Sequence, residues 1–237
     1  MHKAKILISL MFISCISHAQ PGWHPDGNFG LPPIISFGVH IDPIISWFAT
    51  DIYGVSNEGA RPGFNFGVSY NRYFSPNYSF STGVNIINAG GRLVSKTNTL
   101  FELVNYKDKI ANVAPGDAIV YKIQYLAVPL GLKFQTNQIG YITFFSDIGI
   151  DPKVVIGGKV NIPSLDIIGE KATAELKSFN LSYHIIAGIE YAIGGNTAAV
   201  LGLGFDNNFI DITKDRGDQP NDKVTHKLLS FRFGINF

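Results

Sequence analysis

Charge is the first thing that the sequence has little of. Charged residues make up 16% of the 237-residue chain, against about 25% in a typical soluble domain. The formal net charge is only +1, and basic residues do not form a run. This pattern predicts no nucleic-acid partner and no electrostatic patch for a membrane surface.

Cysteine and long apolar runs are also scarce. The one cysteine, Cys15, lies in the N-terminal stretch, and after that stretch no run of about 18 apolar residues follows that could form a membrane-spanning helix. Residues 1–19 have the order of a secretory signal peptide: Lys3 and Lys5, an apolar core, and Ser17-His18-Ala19 as a cleavage site. Cleavage after Ala19 leaves a mature chain that starts at Gln20 and has no thiol for disulfides, nucleophilic catalysis or metal binding.

Cys15 allows an alternative, in which it is the acylated cysteine of a lipoprotein. Phe12 stands where the lipoprotein motif usually has leucine, so this alternative fits less well. Residues 20–33, rich in glycine and proline, are then expected to form a periplasmic N-terminal segment ahead of a barrel domain at 34–237.

The mature chain is rich in segments whose apolar residues alternate with period two, as in β-strands. In 64–73, for example, Phe64, Phe66 and Val68 alternate with polar residues and glycine. The pattern predicts eight strands, at 34–42, 64–73, 78–86, 119–134, 141–151, 179–193, 198–209 and 228–237.

The connections between these strands alternate in length. Turns near Pro76, Asn137 and Gly195 are short, whereas the links at 49–61, 89–117, 153–178 and 213–225 are long and polar. Short periplasmic turns and long external loops are typical of an outer-membrane barrel with both termini in the periplasm. We therefore predict an all-β fold, an eight-stranded antiparallel up-and-down transmembrane barrel, located in the outer membrane.

A soluble β-sandwich or lipocalin-like barrel is the alternative, and the two folds differ in which face lies inside. The apolar face carries one charged residue, Arg72, which is too few for a surface in water. The polar face carries too many charges for a dry core. This favours a polar lumen lined by His40, Asp42, Lys122, Asp147, His184, Glu190, Asp206 and Arg232. An aromatic girdle near the short turns is expected from Tyr70, Tyr73, Tyr78, Phe134, Tyr141, Tyr191 and Phe237.

Pro129 interrupts the fourth strand, where it cannot donate a ladder hydrogen bond. Apolar residues occupy odd positions before Tyr125 and even positions after it. If apolar residues face outward throughout, the phase slips at Tyr125-Leu126, which predicts a β-bulge, with Pro129 pointing into the lumen. The alternative is that Pro129 ends one strand and a new one begins.

The stretch "QYLAVPLGLKFQTNQIGY", together with "YFSPNYSFSTGVNIINAGG" and a signal peptide that ends in Ala-Gln, resembles the PorT-type, "porin family" barrels of the Bacteroidetes outer membrane. The resemblance covers essentially the whole mature chain. It implies an outer-membrane location and, for some members, a part in type IX protein secretion. Implied partners are outer-membrane lipids and lipopolysaccharide, the barrel-assembly machinery and type IX secretion components.

The residues predict no enzyme. His40 and His184 lie among polar neighbours without the serine and carboxylate pattern of a lipid hydrolase. The glycines at 194–195 lack the strand-to-helix context of a phosphate loop, and the acidic stretch 215–222 lacks regular calcium-ligand spacing. We predict no catalytic residues, no cofactor and no metal. Three classes of function remain: an accessory of envelope assembly or type IX secretion, a structural or adhesive barrel that acts through external loops, and a lipid-modifying enzyme as the least favoured.

Overall fold

The structure is a computed structural model and describes residues 34–51, 55–102, 110–214 and 223–237. The predicted signal peptide and the predicted segment 20–33 lie outside these ranges. No helix in the described part of the chain is long and apolar enough to cross a membrane. In chain order the strands are β1 (Ile35–Thr50), β2 (Val55–Gly59), β3 (Arg61–Ser75), β4 (Tyr78–Ser95), β5 (Thr99–Glu102), β6 (Ile110–Val113), β7 (Ala118–Ala127), β8 (Leu130–Gln135), β9 (Ile142–Ile162), β10 (Ile167–Lys171), β11 (Phe179–Gly194), β12 (Thr197–Asn208) and β13 (Val224–Asn236).

Eight wall strands close into a ring. Each pairs antiparallel with its neighbours in the order β1, β3, β4, β7 with β8, β9, β11, β12 and β13, and β13 returns to β1. Because wall strands that follow one another along the chain are also neighbours in the ring, the topology is up-and-down. The prediction of an eight-stranded up-and-down barrel is confirmed, and each predicted segment overlaps one wall strand.

The short turns lie where the sequence predicts them. Ser75 pairs with Tyr78 across the first turn, and Gly194 pairs with Thr197 across the last. Gly195 has φ of 58°, a left-handed conformation that favours glycine in so tight a turn. Beside the first turn, Phe74 stacks on Tyr78 on the outer face. Tyr73, which the predicted girdle included, instead lies on the inward face of β3 with Asn71.

The long links differ from the prediction. They were expected to be polar loops, but β4 continues to Ser95 and β9 to Ile162. Other link residues form β2, which pairs with β4, β10, which pairs with β9, and the separate β5–β6 hairpin. The wall therefore extends well beyond the length that crosses a membrane.

The strand that contains Pro129 shows that the predicted phase slip is wrong. β7 and β8 pair with β4 in one unbroken register, since Ala127 pairs with Asn85 and Leu130 with Thr82. Odd-numbered side chains face inward on both sides of the proline. Pro129 interrupts one wall strand rather than starting a new one, and it lines the lumen as predicted.

The bulge lies on the neighbouring strand instead. Between β7 and β9 the register shifts at Gln124 and Tyr125, which pair with Gly157 and Val155, so that Ile156 is the extra residue. Below it the inward residues of β9 are odd, as at Lys153, and above it they are even, as at Val160. A bulge of this kind changes which residues face inward without breaking the strand.

The polarity of the two faces reverses at one level of the wall, marked by the paired residues Asn88 and Gln124. We call the part between this level and the short turns the lower barrel, and the part beyond it the upper barrel. In the lower barrel the outward face is apolar and the inward face is largely polar. In the upper barrel the inward face is apolar, and the outward face carries residues such as Lys122 and Arg92. The prediction that Lys122 faces the lumen is therefore wrong.

Candidate functional site in the barrel lumen

The middle of the lower barrel holds a buried charge network. Asp151 Oδ1 lies 2.9 Å from His184 Nδ1, and Asp147 Oδ1 lies 3.6 Å from His184 Nε2. These three residues come from β9 and β11, where alternation places them on the inward face. The imidazole thus lies between two carboxylates, one facing each ring nitrogen.

A second group surrounds Asp42 on β1. Its carboxylate lies 3.0 Å from His40 Nδ1 and 3.3 Å from the Arg232 guanidinium, and it accepts a hydrogen bond of 2.8 Å from the Asn65 amide. The side chain of Asp42 is almost completely buried, so these polar partners offset much of the cost of removing it from water.

Near the short turns a third group closes the lumen. Lys133 Nζ lies 2.5 Å from Glu190 Oε1. Glu190 also accepts hydrogen bonds from Gln135 and Asn236, so groups from three wall elements meet across the interior. The sequence predicts that Lys133, Glu190 and Arg232 pair across the lumen, and the structure brings the first two together. Arg232 binds Asp42 instead.

A fourth group, an ion pair, lies at the top of the network. Lys153 Nζ is 2.6 Å from Asp206 Oδ2, which also accepts a hydrogen bond from Ser182. The ammonium lies 5.9 Å from the centre of the Tyr125 ring, where the polar lumen meets the apolar interior of the upper barrel. Sequence analysis missed Lys153 because the predicted strand ends at residue 151, whereas β9 continues and keeps odd-numbered residues inward through Lys153.

Small cavities remain between the charged groups. One of about 70 Å³ lies between Asp42, Asp147, His184 and Arg232, and one of about 30 Å³ lies nearer the turns. Asn85 Oδ1 and Arg232 Nε are among the buried polar atoms of this region that have no protein partner. Cavities of this size and polarity are suited to a few water molecules.

The upper barrel closes the lumen above this network. Phe48 and Val160 are fully buried, and the Phe48 ring packs edge-on against Tyr121 at 5.6 Å. Ala111 and Val113, both in β6, belong to the same apolar cluster, so this strand packs against the apolar interior of the upper barrel. The other members include Ile44, Val55, Ile87, Leu93, Ile119, Ile123, Tyr125, Ile162, Ile167, Leu176, Ile212, Val224 and Leu228.

Buried polar groups within this apolar core have partners. His226 lies 3.1 Å from the Tyr125 hydroxyl and 3.3 Å from the Gly90 carbonyl oxygen. Ser46 donates a hydrogen bond to the same carbonyl and accepts one from the Gly90 N–H. These contacts tie β1, β4, β7 and β13 together, and they hold the core in one arrangement.

The network does not form a hydrolytic triad. Ser182 Oγ bonds to Asp151 and Asp206, while the ring nitrogens of His184 face Asp151 and Asp147, so histidine and serine do not contact each other. The described residues contain no group of three or more His, Cys, Asp or Glu side chains with the geometry of a metal site. The acidic stretch 215–222 lies outside the described residues, as does the predicted segment 20–33 with its histidine, His24.

Comparisons with solved structures find matches at low sequence identity. The attachment invasion locus protein Ail of Yersinia pestis has 15% sequence identity and a TM-score of 0.42, with 85% of this chain and 98% of that chain covered. OprG of Pseudomonas aeruginosa has 9% identity and a TM-score of 0.46, covering 88% and 97%. The outer membrane protease OmpT of Escherichia coli has 8% identity and a TM-score of 0.41, covering 87% and 97%. No curated protein matches the sequence at a significant level.

The family comparison is decisive for location. The model of the outer membrane protein beta-barrel domain family matches residues 35–235, nearly the whole described barrel. The match agrees with the apolar outer face of the lower barrel. It places the protein in the outer membrane, with the start of β1 and the end of β13 on the periplasmic side, beside the short turns. The chain belongs to the outer membrane protein beta-barrel domain family.

Proposed function

We propose that the protein is a non-enzymatic barrel, closed to diffusion, that acts in the outer membrane as a structural or adhesive component through its upper barrel. The observation that carries this proposal is the apolar core of the upper barrel. Phe48, Val160 and Ile162 are each 0% exposed, so the path along the barrel axis is filled by side chains rather than by water.

This core argues against a channel. Small eight-stranded barrels have interiors that side chains fill. Here the filling has two layers of opposite character: charged pairs such as Lys133 with Glu190 below, and the apolar cluster above. A solute would have to break both layers.

The same core argues against a lipid-modifying enzyme. A catalytic histidine must reach a substrate in the lipid layer or in the external medium. His40 and His184 face the lumen of the lower barrel and are buried, while the apolar core separates them from the external end. Their ring nitrogens face the carboxylates of Asp42, Asp147 and Asp151 within the lumen, which fits a role in filling the interior.

The upper barrel itself supports a role on the outside. A tilted strand of about 9–11 residues spans a membrane, whereas β9 has 21 residues and β4 has 18. About half of such a strand therefore stands beyond the lipid. With β2, β10 and the β5–β6 hairpin, these extensions form a folded projection that can contact other molecules.

Two measurements test the proposal. Purified protein in planar lipid bilayers should give no stable large conductance, and a steady porin-like current would contradict the closed lumen. A deletion strain should adhere less to host-cell or abiotic surfaces than its parent, and the full-length chain should restore adhesion. Unchanged adhesion and unchanged envelope integrity in the deletion strain would contradict the structural or adhesive role.

The second candidate is an accessory of envelope assembly or type IX secretion, favoured by the PorT-type resemblance. Two residues of the resembling stretch have clear places in the structure: Tyr125 is buried against His226, and Pro129 lines the lumen. The positions of Tyr125 and Pro129 therefore explain this motif as part of the barrel interior, without a binding partner. A secretion role would instead use the short turns and the predicted periplasmic segment 20–33, with type IX components and the barrel-assembly machinery as partners.

The test compares a full deletion with a strain that lacks residues 22–32, with heat-modifiable migration as the check that the barrel still inserts. Release of cargo that bears type IX C-terminal signals should fall in both strains if the protein is a secretion accessory. Normal release in the full deletion would contradict this candidate and leave the structural or adhesive barrel.

A further inference from the structure

Three lysines form a row on the outward face of the upper barrel. Lys122 on β7 pairs in register with Lys159 on β9, and Lys159 pairs in turn with Lys171 on β10. All three side chains are exposed. Because directly paired residues on neighbouring strands have Cβ atoms about 4.5–5.5 Å apart, the row presents three positive charges within a short arc of the wall.

This arrangement is unfavourable by itself. Like charges directly opposite each other destabilise a sheet, and none of the three lysines forms an ion pair with a carboxylate of the described residues. The carboxylate of Glu58, which is on the outward face nearby, forms an ion pair with Arg92 rather than with a lysine of the row. Glu170, next to Lys171 in sequence, pairs in register with Val160, whose side chain is buried inside the barrel.

The height of the row indicates what balances its charge. On β7, Leu126 is the highest apolar outward residue of the lower barrel. Lys122 lies four residues beyond it, in the upper barrel. At about 3.3 Å per residue and a tilt of about 40°, this is roughly 10 Å above the apolar belt. The polar headgroup layer extends about 5–7 Å beyond the hydrocarbon, and a lysine side chain can reach several ångströms toward it.

We propose that Lys122, Lys159 and Lys171 form a binding site for the phosphate groups of lipid A in the outer leaflet. Below the lysines, outward apolar residues such as Leu126 and Ile156 supply a surface for acyl chains, as an amphipathic lipid requires. In lipid A the phosphate groups lie above the acyl chains. On this barrel the three lysines likewise lie above the apolar outer face. This inference rests on the outer-membrane location of the barrel and does not depend on the adhesive role.

Native mass spectrometry of the folded full-length barrel in detergent tests the site, with bis-phosphorylated lipid A and its dephosphorylated form as probes. The wild-type barrel should retain phosphorylated lipid A and lose most of that binding to the dephosphorylated form. The triple variant Lys122→Gln/Lys159→Gln/Lys171→Gln should bind phosphorylated lipid A on the order of 100-fold more weakly, since each lysine near an anionic surface contributes about fivefold.

Lys227→Gln is the matched control. Lys227 lies on the outward face of β13, but its register partners are Trp47 and Asn207 rather than lysines. Its loss should change lipid A binding by less than about fivefold. The triple variant should unfold in lipid-free detergent at a temperature no lower than that of the wild type, because the substitutions remove repulsion between the lysines.

Three results would overturn the site: equal retention of phosphorylated and dephosphorylated lipid A, unchanged binding by the triple variant, or lysine-dependent retention of phosphatidylglycerol as strong as that of lipid A. The last result would assign the row to anionic phospholipid in general. A triple variant that unfolds at a lower temperature without any lipid would instead show that the lysines have a structural role.

Discussion

The lower and upper barrels are built from the same strands but have opposite interiors. On β4, Asn85 faces inward and Ile86 outward in the lower barrel, whereas in the upper barrel Leu93 faces inward and Arg92 outward. The strand keeps its alternation and its direction through the boundary. What changes is the medium outside the wall, from lipid to water, so the same backbone holds a polar interior in one part and an apolar core in the other.

The largest expected difference between the two interiors appears when a carboxylate is placed in each of them. Val160→Asp puts an unpaired charge in the apolar core of the upper barrel, where Val160 is 0% exposed, and should lower the free energy of unfolding by more than about 4 kcal/mol. Asn85→Asp adds the same charge to the lower lumen, which already holds His40 and Arg232, and should cost far less. Urea unfolding in lipid vesicles measures both. Equal losses would contradict the difference between the two interiors.

Breaking an ion pair of the lower lumen should have the next largest effect. Lys133→Met leaves Glu190 buried without its cation and should cost about 3–5 kcal/mol, as for other buried pairs that lose one partner. The double variant Lys133→Met/Glu190→Leu removes both charges and should recover much of that loss. A double variant as unstable as the single one would show that the pair supplies stability of its own.

The outer faces provide the next comparison. Val68→Arg places a charge on the apolar outer face of β3, in the middle of the lower barrel, and should cost about 2–4 kcal/mol. Val120→Arg makes the same change on the outward face of β7 in the upper barrel, where water can solvate it, and should cost less than about 1 kcal/mol, most of it from repulsion by Arg92, its register partner. A large loss at Val120 would place that part of the wall in lipid.

The smallest effect is expected at the exposed ion pair of the upper barrel. Arg92 and Glu58 are about half exposed, with side-chain accessibilities of 49% and 50%. Glu58→Gln should therefore cost less than about 1 kcal/mol, and the loss should shrink further in high salt. A cost near that of Lys133→Met would mean that this pair is shielded from water.

The lower barrel could be predicted from the sequence because lipid imposes a strong alternation on the wall strands. Phe64, Phe66 and Val68 stand out against their polar neighbours, and short turns fix where each strand reverses. Those two patterns suffice for the strand number, the topology and the face of each lower segment. They also place His40, Asp147 and His184 in the lumen.

The upper barrel could not be predicted in the same way, because alternation shows that two faces differ but not which face is inside. The residues around Tyr125 alternate as regularly as those around Leu132, and the assumption that apolar residues face lipid produced a phase slip that the strand does not have. The same assumption placed Lys122 in the lumen. A reversal of apolar parity without a break in pairing is instead the expected sign of a strand that leaves the membrane.

Which charged residues pair within the lumen could not be predicted from the sequence, for a different reason. Arg232 was expected near Lys133 and Glu190 because all three lie close to the short turns, yet it binds Asp42. Contacts across a barrel depend on the tilt and stagger of all strands together, which no single strand encodes. The bulge in β9 adds to this, since it reverses the facing of every residue beyond Ile156.

The central claim, that the membrane ends at the level of Asn88 and Gln124, is tested most directly by a depth profile along β4. The chain has one cysteine, Cys15, in the predicted signal peptide, so single spin labels can be attached at cysteines that replace Val84, Ile86, Arg92 and Val94 in the mature protein. In lipid vesicles, collisions with oxygen should dominate at residues 84 and 86, and collisions with a water-soluble nickel chelate should dominate at 92 and 94. Dominance of oxygen at all four positions would put the upper barrel in lipid and contradict the account.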